Sequence, residues 1–95
     1  MADRLLIPYN ASPMVYEIEV KPRAIRDLKA IDKSQARRIA EELGQLRLDL
    51  AGDVKRLTSS TPEYRLRVSD YRILFEVEGN KVIVYRIRHR KDAYR

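Results

Sequence analysis

The sequence contains no cysteine and no tryptophan, and it has a single histidine, His89. Without cysteine the chain cannot form a disulfide, so nothing in it requires an oxidising compartment. One histidine and no cysteine are also too few ligands for a structural zinc site, and we expect neither a metal nor another cofactor. The core must therefore consist of aliphatic side chains and the six tyrosines, within an apolar content of 44%.

Long hydrophobic runs are absent as well. The longest ones, residues 73–75 and 82–85, have the length of strands and are far too short to span a membrane. A weak apolar stretch near the start is broken by Pro8 and lacks the length and cleavage pattern of a secretion signal. We therefore predict a cytoplasmic protein without membrane association, and its length predicts one domain.

Positive charge is concentrated in the second half of the chain. The net charge is +6, of which residues 1–50 carry +1 and residues 51–95 carry +5. Such an asymmetry favours an anionic partner, either a nucleic acid or an acidic protein. A basic surface that only aids solubility explains the composition equally well, so charge alone does not choose between these interpretations.

The first half of the chain predicts an extension, one strand and two helices. Residues 1–13 lack periodicity and are interpreted as an N-terminal extension with a composition compatible with disorder; the domain covers residues 14–95. Alternating apolar residues after Met14 predict a half-buried strand. Pro22 then suits the first position of a helix, and Asp32 with Gln35 forms the sequence pattern of a capping box for a second helix. The apolar stripes of these two helices are Ala24, Ile25, Leu28 and Ile31 in the first, and Ala36, Ile39, Leu43, Leu46 and Leu50 in the second.

The second half predicts three strands, at about residues 64–68, 71–78 and 81–89. Gly79 and Asn80 lie between the last two strands and predict a two-residue hairpin turn. The order of elements is β-α-α-β-β-β. We therefore predict an α+β fold in which an antiparallel or mixed sheet packs on an N-terminal helix hairpin.

Arginines alternate with apolar residues along these three strands. Because side chains alternate between the two faces of a sheet, packing the apolar face on the helices exposes the basic residues on the other face. In the third strand this alternation predicts that Ile83, Tyr85, Ile87 and His89 face the core, where a lone histidine is structural. The guanidinium fork suits phosphate oxygens and stacks on bases, whereas a solvated basic face gives no reason for arginine over lysine. The predicted basic set is Arg65, Arg67, Arg72, Arg86, Arg88 and Arg90.

Three segments of the chain together resemble the RelE/ParE toxins. They are the strand and helix from Val15 to Leu28, the segment from Val54 to Val77 and the ending from His89 to Arg95. The resemblance covers residues 14–95. It implies a RelE-like microbial RNase fold and a metal-independent endoribonuclease that enters the ribosomal A site and cleaves mRNA by attack of the 2′-hydroxyl. It also implies a cognate antitoxin as partner, alongside mRNA and the ribosome.

Carried over by position, the resemblance assigns roles to individual residues. Arg72 matches the arginine that stabilises the transition state, Arg90 the general acid, and Tyr94 a residue that orients the substrate. Arg65 and Arg67 match a basic pair that is lysine in some members, one of them the proposed general base. Since arginine hardly loses its proton, Arg67 is expected to act electrostatically. The predicted catalytic residues are thus Arg67, Arg72, Arg90 and Tyr94, and the predicted RNA-binding residues are Arg65, Arg86, Arg88 and Lys91.

Two other functions fit the same sequence. A ParE-type toxin shares the fold but poisons DNA gyrase and has no nuclease activity. A non-catalytic binding module would use the basic face only to hold an acidic partner. The joint presence of the arginines and Tyr94 favours the nuclease.

Overall fold

The structure is a computed structural model that describes residues 14–58 and 61–93. Two helices and five strands follow one another along these residues. The expected N-terminal extension, residues 1–13, lies outside the described residues. Within the described part, neither helix is long and apolar enough to cross a membrane. The elements are β1 (Glu17–Val20), α1 (Pro22–Lys29), α2 (Lys33–Leu46), β2 (Val54–Arg56), β3 (Tyr64–Val68), β4 (Tyr71–Glu78) and β5 (Lys81–His89).

Both helices begin where the sequence predicts. Pro22 is the first residue of α1, where its missing N–H costs no hydrogen bond. Asp32 caps α2, and its carboxylate accepts the Gln35 N–H at 3.2 Å. The reciprocal half of the predicted capping box is not formed, because the Gln35 Oε1 is buried without a hydrogen-bond partner. The Ser34 hydroxyl instead donates to Asp32 at 2.7 Å, and these hydrogen bonds lower the pKa of Asp32.

The five strands form one mixed sheet in the order β1-β5-β4-β3-β2. β1 runs parallel to β5, and the other neighbours are antiparallel. The predicted α+β fold class is confirmed. The sheet contains one strand more than predicted, because the three residues of β2 pair with β3 and are too short to show an alternating pattern. The predicted turn joins β4 to β5, with Gly79 at a φ of 60° that glycine adopts without strain.

The core lies between α2 and one face of the sheet. Ile39 and Leu46 of α2 are completely buried there, as are Leu66, Ile73 and Phe75 of the sheet. The Phe75 ring stacks on Tyr64 with centroids 5.4 Å apart. One member of the predicted helix stripes is wrong: the Ile25 side chain is 40% exposed. α1 packs beside β5 and buries Ala24 completely, and helical spacing alone does not define how wide the buried side of a helix is.

A β-bulge in β5 corrects the predicted faces of that strand. Leu74 pairs with Arg86 and Phe75 with Val84, so Tyr85 has no partner opposite it on β4. The extra residue shifts the alternation by one position. Ile83 was predicted to face the core with Ile87, but it lies on the opposite face, and neighbouring residues of β5 take the core positions in its place: Val82 and Val84.

Asp27 of α1 closes the edge of β5 beyond the last residue of β1. Its carboxylate accepts the backbone N–H of Ile87 at 2.9 Å and binds the Arg86 guanidinium through Nε at 2.8 Å and Nη2 at 3.1 Å. Burial of Asp27 opposes ionisation, but the hydrogen bonds from Arg86 and Ile87 outweigh it and lower the pKa of Asp27. The same contact raises the pKa of Arg86. This half-buried ion pair fixes α1 against the sheet.

We expect Asp27→Asn to lower the free energy of unfolding by about 1–2 kcal/mol near neutral pH, because an amide keeps the Ile87 hydrogen bond but loses the charge. The folded-state pKa lies below the ordinary value of 3.8. The contribution of the carboxylate is therefore complete above that value and is lost as the pH falls through the folded pKa. Urea unfolding of the wild type and of Asp27→Asn at about pH 7 and about pH 3 measures this contribution. The difference in unfolding free energy between the two proteins should be smaller at the lower pH. Glu41→Gln, at an exposed position of α2, is the control. An equal loss of unfolding free energy in that variant would contradict the stabilising role of Asp27.

Candidate functional site

Two rows of arginines lie on the sheet face opposite the core. In the first row Arg67, Arg72 and Arg88 are direct cross-strand partners on β3, β4 and β5. In the second, Arg65 and Arg86 flank Leu74. Side chains opposite each other on neighbouring strands have Cβ atoms about 4.5–5.5 Å apart, so the register brings these charges together. We call these five arginines the arginine face: Arg65, Arg67, Arg72, Arg86 and Arg88.

The acidic residues of the same sheet face lie at its other end. Glu19 and Glu76 flank Ile83. Ile83 precedes the bulge residue Tyr85 by two positions in β5, on the side away from the arginine rows. The Glu19 carboxylate binds Lys21 at 2.9 Å and Lys81 at 3.7 Å, and the hydrogen bond from Lys21 lowers its pKa. Glu76 accepts the Glu63 backbone N–H at 2.8 Å. These carboxylates are engaged with other groups and do not neutralise the arginine face.

One carboxylate, that of Asp53, is shared by two arginines of the face. Arg67 Nε donates to Asp53 Oδ2 at 2.6 Å, and Arg65 Nη1 lies 3.4 Å from Oδ1. The hydrogen bond from Arg67 lowers the pKa of Asp53 despite partial desolvation. Arg65 is mostly covered, whereas Asp53 and Arg67 are exposed. Two guanidinium groups and one carboxylate leave one positive charge on this side of the face.

The Arg72 guanidinium is held by backbone oxygens. Its Nη1 donates to the Ser69 carbonyl at 3.1 Å and to the Tyr71 carbonyl at 3.0 Å. Among residues 14–58 and 61–93, no carboxylate lies within 4 Å of the Arg72 or Arg88 side-chain nitrogens. The side chain is therefore oriented, while its charge is not matched by an acidic residue of the described chain. Arg86 differs, since it forms the bidentate pair with Asp27.

The remaining predicted site residues follow the end of β5. The Arg90 N–H donates to the Asp70 carbonyl at 2.7 Å, beside the β3–β4 turn that holds Arg72. Its Nε lies 3.9 Å from Asp70 Oδ1, but both side chains are at least 60% exposed, and such a pair contributes little. Lys91 is exposed, and its N–H donates to His89 Nδ1 at 3.2 Å. Tyr94 lies outside the described residues.

His89 lies on the core face, as predicted. Its ring makes an edge-to-face contact with Tyr71, with centroids 5.6 Å apart.

The described residues contain no group of three or more His, Cys, Asp or Glu side chains that could hold a metal ion. The arginine face offers electrostatic chemistry, because permanent cations with several N–H donors, fixed by neighbouring groups, can bind and stabilise an anionic oxygen.

Sequence reasoning missed the acidic partners of the arginines, Asp27 and Asp53. The local signal at Asp53 is the preceding Gly52, which has a φ of 123°. A Cβ at Gly52 would lie only 2.9 Å from Leu66 Cδ1, so glycine lets this loop approach β3 closely. The Asp53 carbonyl then accepts the Arg67 N–H at 3.0 Å, and its side chain meets the two arginines. No comparable local signal precedes Asp27.

Comparison with known proteins gives one matching family model and several relatives. Residues 18–94 match the model of the ParE toxin of the type II toxin-antitoxin system parDE. Toxin RelE3 of Methanocaldococcus jannaschii is 44% identical over 46 residues, which span 48% of this chain and 52% of that protein. A second relative from the same organism, RelE1, is 27% identical over 88 residues, covering 86% of this chain and 98% of that protein.

A solved structure shares the fold. A chain of the RelB-RelE antitoxin-toxin complex from Methanococcus jannaschii superposes with a TM-score of 0.68 and 30% sequence identity. The superposition covers 80% of this chain and 94% of that one.

Proposed function

This chain belongs to the ParE toxin family of type II toxin–antitoxin systems, within the RelE/ParE superfamily, and from its similarity to the RelE toxins of that superfamily we propose that it is a ribosome-dependent endoribonuclease. The toxin would act in the cytoplasm, where it would cleave mRNA in the ribosomal A site. The observation that carries this proposal is the cross-strand row Arg67–Arg72–Arg88, in which Arg72 is oriented by carbonyls and lacks a carboxylate partner within the described chain. A phosphodiester supplies the anionic oxygens that such a row binds.

In the proposed reaction the 2′-hydroxyl oxygen attacks the adjacent phosphorus, and the bond to the 5′-oxygen breaks. The products are a 2′,3′-cyclic phosphate and a 5′-hydroxyl. Arg72 would stabilise the extra negative charge on the phosphoryl oxygens, and Arg67 would help to hold the phosphate in line for attack. Arg90 would donate the proton to the leaving oxygen, and Tyr94 would orient the substrate. The 2′-hydroxyl proton would pass to a basic group of the ribosome or to Tyr94, because a guanidinium is already protonated.

A protein partner is part of the same proposal. The similar solved structure is an antitoxin–toxin complex, and one chain of that complex has the same fold as this protein. We propose that a cognate antitoxin binds this protein and neutralises it. Co-purification with the product of an adjacent small reading frame, followed by loss of growth inhibition, tests the proposal.

The family model favours a second candidate, because its description is that of a ParE toxin. Such a toxin would poison DNA gyrase and leave RNA intact. One pair of assays separates the two functions: mapping of mRNA 5′ ends after incubation with translating ribosomes, and gyrase supercoiling. Cuts at fixed codon positions would support the nuclease. Inhibited supercoiling with intact mRNA would overturn it in favour of the gyrase poison.

We expect Asp53→Asn to tighten RNA binding by roughly three- to tenfold at low salt, because it removes the carboxylate that competes with phosphate for Arg65 and Arg67. Fluorescence anisotropy with a single-stranded RNA that carries 2′-O-methyl groups measures affinity without cleavage. Glu17→Gln is the matched control, since it removes one negative charge from the acidic end of the same sheet face. Equal tightening in both variants would mean that only net charge matters and would contradict direct competition at Asp53.

A further inference from the structure

A second basic site lies at the sheet edge, in a pocket of about 290 Å³ between α1 and β5. Arg23, Arg26 and Ala30 line it from the helix side, and Arg86 lines it from β5, with Asp27 between them. Arg86 belongs both to this pocket and to the arginine face. The pocket therefore continues the basic surface around the edge of the sheet.

The single carboxylate of the pocket is already engaged by three hydrogen bonds, none of them from Arg23 or Arg26. Asp27 accepts two hydrogen bonds from Arg86 and one from the Ile87 backbone N–H. Within the described part of the chain, no carboxylate lies within 4 Å of a side-chain nitrogen of Arg23 or Arg26. The pocket thus combines three guanidinium groups with one carboxylate and carries an excess of positive charge.

The two helix arginines are spaced so that they face the same side. Arg23 and Arg26 are three residues apart on α1, and like charges at this spacing repel each other and destabilise a helix. Arg86, in contrast, is fixed: Asp27 holds its Nε and Nη2, which leaves the Nη1 group for another acceptor. An anion in the pocket would meet one oriented donor and two adaptable ones, and it would relieve the repulsion between the helix arginines.

We propose that this pocket binds a backbone phosphate of a second RNA segment, so that the protein holds structured RNA at two places, the arginine face and the α1–β5 edge. This inference rests on the proposed function in taking RNA as the ligand. A phosphate fits because its oxygens accept several guanidinium hydrogen bonds at once. RNA is preferred to an acidic protein because Arg86 connects the pocket to the arginine face, and a phosphate backbone presents charges at regular intervals along such a path.

The test compares two RNA probes, both 2′-O-methylated so that they are not cleaved. One is a stem-loop of roughly 20 nucleotides, long enough to reach around the sheet edge, and the other is a single strand of about four nucleotides that covers the arginine face alone. The variant is Arg23→Ala/Arg26→Ala. The matched control is Arg37→Ala/Arg38→Ala, which removes the same charge from exposed positions of α2. Affinity is measured by fluorescence anisotropy over a range of salt concentrations.

We expect the pocket variant to weaken stem-loop binding by about tenfold and to reduce the salt slope by about 1–2, with little change for the short strand. The control variant should change either affinity by less than about twofold. Equal losses in both variants, or an equal loss with both probes, would overturn the second site. Binding of polyglutamate that depends on Arg23 and Arg26, without such dependence for the stem-loop, would overturn RNA as the ligand.

The same variants separate this inference from the proposed function. If wild-type protein cuts no mRNA on ribosomes but the pocket variant still loses stem-loop affinity selectively, the nuclease proposal fails and the edge site stands. If mRNA is cut and the pocket variant binds the stem-loop normally, the edge site fails alone. Circular dichroism of the variant checks that α1 remains folded.

Discussion

Replacing Arg72 with alanine is expected to slow mRNA cleavage on ribosomes by about 10²–10³-fold, the usual consequence of losing one oriented donor to a developing anionic charge. The guanidinium of Arg72 stands between Arg67 and Arg88 in the cross-strand row, and two carbonyls fix it there. Removing it leaves the neighbouring arginines to bind the RNA but takes away the charge closest to the middle of the row. Single-turnover cleavage and growth inhibition after induction both measure the effect.

The fold should survive this substitution. Arg72 contributes two hydrogen bonds to partly exposed carbonyls, which together stabilise the protein by roughly 1–3 kcal/mol at most. Arg72→Lys keeps the charge but loses the planar fork, so its activity should lie between wild type and Arg72→Ala. Arg37→Ala, at an exposed position of α2, is the control and should cleave mRNA at the wild-type rate. An Arg72→Ala protein that is folded by circular dichroism and fully active would refute the assigned role.

Phe75→Ala should have the largest effect on stability, about 3–5 kcal/mol. The Phe75 side chain is completely buried and stacks on Tyr64, so its removal leaves a cavity in the core and takes away an aromatic contact. For a small domain this loss is a large part of the total free energy of unfolding. The midpoint and slope of urea unfolding measure the effect.

Ile25→Ala provides the matched control, because sequence periodicity places Ile25 in the core and the structure exposes 40% of its side chain. We expect a loss below about 1 kcal/mol. A loss in Ile25→Ala as large as that in Phe75→Ala would mean that α1 packs as the sequence pattern predicts, with Ile25 facing the sheet, and would contradict the orientation described above.

Periodicity predicted most of the fold because it is a local property. The apolar spacing in α2 and the alternation in β3 and β4 follow from backbone geometry within each element, and the same residues form the core: Ile39, Leu43, Leu46, Leu66, Ile73 and Phe75. The short strand β2 and the bulge at Tyr85 were not predicted. Both depend on which residue of a neighbouring strand is opposite, and a local pattern contains no information about that register.

For the charges of the candidate site, too, part was predictable from the sequence and part depended on the tertiary structure. The sequence by itself determined that arginines alternate with core residues on three consecutive strands, and hence that they share one face. Only the tertiary structure decided which of them have acidic partners: Arg86 meets Asp27 across 59 positions of the chain, and Arg67 meets Asp53 across 14. Side-chain direction follows from the local backbone, whereas an ion pair between distant residues forms only when packing and register bring the two groups together. For this reason the sequence located a basic face, and the fold determined that Arg72 is the arginine of that face that is both oriented by carbonyls and without a carboxylate partner among the described residues.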